Sequence, residues 1–160
     1  MGGTFQRLVN QGHDVHVAYQ TSGNIAVGDE EVIRYLSVFK HLIREYDPDN
    51  KAALDKLSSI LHHLFHEKGS DDVDIPEVRF LKGRIRREEA RSADRYVGLP
   101  HSHVHFLDLP FYETGKVKKD PISEKDVVIV KNFIESIKPH QIYVAGDLAD
   151  GEQSGQRGAA

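Results

Sequence analysis

Met1-Gly2-Gly3-Thr4-Phe5-Gln6-Arg7-Leu8-Val9-Asn10-Gln11-Gly12-His13-Asp14-Val15-His16-Val17-Ala18-Tyr19-Gln20-Thr21-Ser22-Gly23-Asn24 is the stretch on which the fold turns. Phe5, Leu8 and Val9 fall on one face of a short helix, and Gly12 is placed to end it in a left-handed cap. His13 to Tyr19 then alternates, with Val15, Val17 and Tyr19 on one strand face and His16 and Ala18 on the other. Thr21 to Gly28 is small and polar, a loop after a strand. Helix, turn, strand and polar loop in this order are the grammar of an α/β unit.

The rest of the chain repeats that grammar. Asp29 is placed to cap a second helix with Val32, Leu36, Phe39, Ile43 and Tyr46 at helical spacing, closed by Pro48. Asn50 caps a third, whose face carries Leu54, Leu57, Leu61, Leu64 and Phe65. Pro76 suits the first turn of a fourth helix running to about Val97, stopped by Gly98-Leu99-Pro100. His103 to Leu107 reads as a strand. Ser123 and Asp126 open a fifth helix with a capping box and turn Val127, Val130, Ile134 and Ile137 inward. Gln141 to Ala145 reads as a final strand, and residues 151–160 as a disordered tail. The fold class is therefore α/β, a mainly parallel sheet flanked by helices.

Composition narrows the function. The chain has 160 residues, a net charge of -4 and a pI near 6.2, which argues against a nucleic-acid partner recruited by a basic surface. It contains no cysteine, so neither disulfides nor thiolate chemistry is available. No apolar run long enough to span a membrane occurs, and no secretory signal pattern opens the chain, so the expected compartment is the cytoplasm.

In a parallel sheet, ligands bind beyond the carboxyl ends of the strands. Here those ends are Thr21 to Asn24, Asp108 to Tyr112 and Gly146 to Asp150, whose hydroxyls, amides and carboxylates suit a polar, sugar-like ligand. Histidines invite a metal reading as well. His101, His103 and His105 alternate, so on a strand they share one face. His62 and His66 lie one helical turn apart, without the Glu of a His-Glu-x-x-His motif, and read as surface.

The opening Gly-Gly-Thr helix, the strand that follows, and the helix Arg86-Arg87-Glu88-Glu89-Ala90 ending in Val97-Gly98 together resemble the zinc-dependent N-acetylglucosaminyl deacetylases of the LmbE/PIG-L family. They resemble in particular the LmbE-like half of Bacteroidetes glucosamine-6-phosphate deaminase-like proteins. The resemblance covers roughly residues 1–150, read as a partial deacetylase domain, and implies a Rossmann-like sheet.

It also implies metal-assisted amide hydrolysis, with zinc held by an Ala-His-Pro-Asp-Asp segment before Gly-Gly-Thr and a Pro-His-x-x-His segment after the last strand. Neither motif is in this sequence, which runs Ala145-Gly146-Asp147-Leu148-Ala149-Asp150-Gly151 at the second place. The chain is accordingly expected to lack the family's first, central strand, to leave two strand edges facing a gap, to bind no zinc and to be inactive. No residue is assigned a catalytic or metal role, His101, His103 and His105 included, because the resemblance places the metal elsewhere. Thr21, Arg86 and Asp150 are the candidate substrate-binding residues, with Arg86 on the family's paired Arg and Glu positions. The remaining charged residues of that helix, Arg87 among them, read as a solvated face. The expected ligand is an amino sugar. The alternative role is a non-catalytic sugar-binding or assembly module, whose partner is a deaminase domain or a second copy.

Overall fold

The computed structural model describes residues 2–69, 72–114 and 119–144. Among the described residues, five α-helices and two strands follow one another as α1 (Gly2–Asn10), β1 (Val17–Tyr19), α2 (Asp29–Tyr46), α3 (Lys51–His62), α4 (Pro76–Tyr96), β2 (Val104–Phe106) and α5 (Glu124–Ile137). Short 3-10 turns occupy Asn24–Ala26 and His101–His103, and a π-type turn over His63–Glu67 extends α3. The fold is α/β: β1 and β2 pair in parallel, with Val17 opposite Val104 and Tyr19 opposite Phe106.

Local chemistry sets most of the helix ends. Gly12 takes φ +79°, the left-handed conformation that a side chain disfavours. The Asn50 side chain accepts the Ala53 N–H. Pro76 sits in the first turn of α4. The Ser123 and Asp126 capping box is formed in full. Asp126 also accepts the backbone N–H of Phe111 at 2.9 Å, tying α5 to the loop after β2. These bonds, Ser123's hydroxyl foremost, hold its carboxyl below the usual range.

Three expectations are corrected. The N-cap of α2 is Gly28, and Asp29 enters the first turn. Its carboxylate is taken by two lysines from distant parts of the chain, Lys68 at 2.6 Å and Lys82 at 2.6 Å, so it cannot also cap the helix. Residues 141–144 are not strand: their backbone has no ladder partner among the described residues, and Ile142, Tyr143 and Val144 are exposed. Ala145 lies outside the described residues. Finally, β1 and β2 are three residues long, and His101 and His103 belong to a 3-10 turn, so only His103 and His105 keep the alternating register.

The apolar core lies under the helices. Val27, Val32, Leu36, Ile60, Val78 and Ile85 form one buried cluster at the meeting of α2, α3 and α4. Phe39 and Tyr46, on the helical repeat of Val32 and Leu36, are exposed, and so are Phe65 and Val127. Beyond Leu36, α2 carries no fully buried residue. The strand pair is fastened to α4 by a polar tie instead. The Tyr19 hydroxyl donates to both oxygens of the buried Asp94 at 3.1 and 3.3 Å. Burial raises the Asp94 carboxyl against that hydrogen bond, and burial together with the Asp94 charge pushes the Tyr19 phenol up to about 12.

Candidate functional site

The ladder between β1 and β2 continues past both strands. Leu107 N–H donates to Tyr19 O and Leu109 N–H to Gln20 O, each at 2.9 Å. The loops after the two strands therefore leave the sheet side by side. Ser22 N–H donates to a carboxylate oxygen of Glu113 at 3.1 Å, which locks one loop to the other. Asp108 adopts φ +46°, a conformation uncommon for a residue with a side chain.

Between these loops and α4 lies a cleft of about 410 Å³. One wall is the face of α4 that carries Pro76, Arg79, Phe80, Gly83, Arg84 and Arg87, recurring at three and four residues. The other wall is Ser22, Asn24, Asp108 and Glu113. Gly83 faces Ser22 across the cleft, where a Cβ would make an ordinary contact of 3.8 Å with that of Ser22 and a larger side chain would have to enter the cleft.

The charges are organised. Arg87 pairs with Asp108 and lies over the Phe106 ring at 5.0 Å. The second carboxylate oxygen of Asp108, Oδ1, is buried with no hydrogen-bond partner among the described residues. An acceptor left so costs about 1–3 kcal/mol until a donor reaches it. Arg84 lies over Phe80 at 5.0 Å, and among the described residues neither Arg79 nor Arg84 has an acidic partner. The cleft thus presents two uncommitted guanidinium groups, a carboxylate acceptor and small polar groups.

The residues singled out in the sequence fall around this cleft rather than in its lining. Thr21 is half-buried and immediately precedes Ser22. Arg86 lies on the adjoining face of α4 and pairs with Glu89. Its chain passes over Gly23, where a Cβ would meet Arg86 Nε at 3.2 Å, and Gly23 holds φ +66°. Asp150 lies outside the described residues. Arg79, Arg84 and Arg87 are cleft residues that the charge pattern of α4 does not single out, and Arg87, expected on a solvated face, is instead paired with Asp108. The signal for them was the helical recurrence from Pro76 through Gly83 to Arg87, with one residue too small to fill its place.

Residues 1–154 match the family model described as GlcNAc-PI de-N-acetylase, PIG-L. The chain belongs to this family. Its fold is the family's α/β class, and the activity by which the family is described is de-N-acetylation. A glucosamine-6-phosphate deaminase-like protein of Bacteroides thetaiotaomicron is 52% identical over 150 residues, 94% of this chain. The chain spans 23% of that relative's length. No solved structure matches.

PIG-L proteins are in general metal-dependent. The cleft's described residues do not suit such an ion. No imidazole lines it, Asp108 is tied to Arg87, Glu113 accepts the Ser22 N–H, and guanidinium groups repel a cation. What they can do is bind, orient and neutralise a polar anion. Among the described residues, no helix is long and apolar enough to cross a membrane.

Proposed function

We propose that this domain binds a phosphorylated or otherwise anionic amino sugar of the N-acetylglucosamine type in the cleft beside α4. In this reading its described residues supply recognition rather than hydrolysis. The observation that carries it is the pairing of uncommitted Arg79 and Arg84 on one wall of a cleft with the polar Ser22, Asn24 and Glu113 on the other. A guanidinium suits phosphate, and a carboxylate oxygen suits a sugar hydroxyl or amide N–H. Such a cleft supports the role of sugar-binding module within a deacetylase family. The relative's deaminase-like name describes a chain more than four times as long as the match, and deaminase chemistry is not part of this proposal.

Calorimetric titration with N-acetylglucosamine 6-phosphate and with N-acetylglucosamine tests the reading. The phosphate ester is expected to bind and the neutral sugar to bind far more weakly. A charge-assisted hydrogen bond contributes about 1.5–3 kcal/mol, so Arg79→Ala should weaken the phosphate ester roughly 10–100-fold. Gly83→Leu should abolish binding by filling the cleft. Equal affinity for both sugars, or binding unaffected by Gly83→Leu, sinks the proposal. Acetate release measured alongside reports whether hydrolysis accompanies binding.

A specific observation favours assembly as a second reading. Tyr35, Val38, Phe39, Leu42 and Tyr46 of α2 are all exposed and recur at helical spacing, an apolar stripe of the kind that marks an interface. Self-association through it predicts a dimer whose mass in light scattering rises with concentration and falls to the monomer in Leu42→Glu. A monomer at every concentration sends the stripe to a different partner, such as a deaminase-type domain.

A further inference from the structure

Three histidines that neither the cleft nor the core uses gather at the amino ends of the two strands. Asp14 and His16 precede β1, His103 precedes β2, and His105 is the middle residue of β2. The parallel register brings them together from 89 residues apart. Asp14 Oδ1 stands 3.6 Å from His16 Nε2 and 3.4 Å from His103 Nδ1. The ligand atoms of Asp14, His16 and His103 all lie within 4.8 Å of one another. His16 Nδ1 is 3.0 Å from His105 Nε2, and the His16 and His103 rings stack at 4.1 Å.

We propose that Asp14, His16 and His103 form a divalent-cation site, best suited to zinc, that clasps the two strands together, with His105 orienting His16. Zinc bonds of about 2.0–2.1 Å in tetrahedral geometry set neighbouring ligand atoms roughly 3.3 Å apart. Two of the three edges of the triangle are already near that length. The third closes by a small rotation of a stacked ring. Two imidazoles and a carboxylate are a common zinc donor set, and three protein ligands leave a position for water. The ring nitrogen of His16 turned away from Asp14 meets His105, the outer partner that fixes a ligating imidazole's orientation. Val15 O, 3.1 Å from His103 Nδ1, holds that ring in place until an ion competes for it. Nothing in this site faces the cleft. Its role is to fasten β1 to β2 at their amino ends, opposite the hydrogen bonds that tie the loops beyond their carboxyl ends.

Zinc titration of the full chain, followed by calorimetry and by melting temperature, tests the proposal. One zinc per chain is expected, with a melting temperature that rises as zinc is added. Asp14 is 78% exposed in its side chain, so Asp14→Asn leaves the fold intact as judged by circular dichroism. It should weaken zinc by more than the roughly 10–100-fold that loss of an outer partner costs. His103→Gln should abolish binding, and His105→Phe should cost less than either. His62→Gln with His66→Gln, removing the other close imidazole pair, should leave the affinity unchanged. Failure to bind zinc, or binding that survives Asp14→Asn and His103→Gln, overturns the site. Loss of binding in the His62 and His66 variant overturns it too, by moving the ion to α3.

Discussion

Asp74→Ala is expected to be the most damaging single change in the chain that touches no apolar side chain. Asp29, Asp74, Lys68 and Lys82 form a closed square. Lys68 Nζ stands 2.6 Å from Asp29 and 2.5 Å from Asp74, and Lys82 Nζ stands 2.6 and 2.8 Å from the same two carboxylates. Both ammonium groups are buried, Asp74 nearly so, and Asp29 is partly open to water. Removing Asp74 leaves two buried cations sharing the one carboxylate that water can already screen. Breaking a buried ion pair by deleting one partner costs about 3–5 kcal/mol, roughly 6–20 °C in melting temperature for a domain of this size.

Replacing Asp74 and Lys82 together by Leu and Met should recover much of that loss, because the unpaired charge goes with its partner. Lys56→Ala, which breaks only the exposed pair with Glu77, should leave melting little changed. Thermal melts of the three variants decide it. An Asp74→Ala protein that melts with the parent would show that water already solvates the square.

The square also sets a pH window. Burial works to raise the Asp29 carboxyl, yet hydrogen bonds from Lys68 and Lys82 outweigh it and leave it below its ordinary 3.8. A depressed carboxyl stabilises the fold above its unfolded value, and that stability is lost as pH falls through the folded one. Burial works to lower Lys68, yet its two carboxylate partners leave it above 10.5, so its contribution is complete below that value and lost as pH rises through the folded one. The Asp29 and Lys68 contributions are both present across the neutral range, the first lost toward acid and the second toward alkali.

How much of this could be read from the sequence depends on how far apart the partners are. Asn50, Ser123 with Asp126, Pro76 and Gly12 announce themselves because each satisfies or terminates a helix within three or four residues. Asp29 carries the same local signal but not the same role, because lysines 39 and 53 residues later compete for its oxygens. Arg87 sits in a run of charges that spells a wet helix face, and only its pairing with Asp108 on the far loop draws it in. The loops of the candidate site were legible as polar strand ends, Ser22, Asn24 and Asp108 among them. The cations that face them were not, since a guanidinium on a surface and one on a cleft wall look alike in a string of letters. The histidine cluster was half legible: alternation brought out His103 and His105, but no periodicity links them to Asp14 and His16.

Leu36→Ala should separate what helical periodicity says from what packing does. Leu36 and Tyr46 belong to one apolar repeat on α2, and the sequence gives no reason to rank them. Leu36 is 0% exposed, at the centre of the cluster with Val32, Val78, Ile60 and Ile85, whereas Tyr46 is 82% exposed. Truncating Leu36 removes its transfer energy and opens a void among side chains from three helices, which together cost about 2–5 kcal/mol. Tyr46→Ala removes surface that water already covers, and surface changes usually stay within about 0.5 kcal/mol. The cluster also contains Val27, which follows the turn carrying Asn24, and Ile85, which lies on α4 between Arg84 and Arg87. Loss of Leu36 should therefore loosen both walls of the cleft, and amide exchange should rise in residues 22–27 and across the middle of α4 in the same variant. Urea unfolding measures the stability difference. Equal losses for Leu36→Ala and Tyr46→Ala would mean that the α2 stripe is covered in solution, and the core would have to be redrawn to include it.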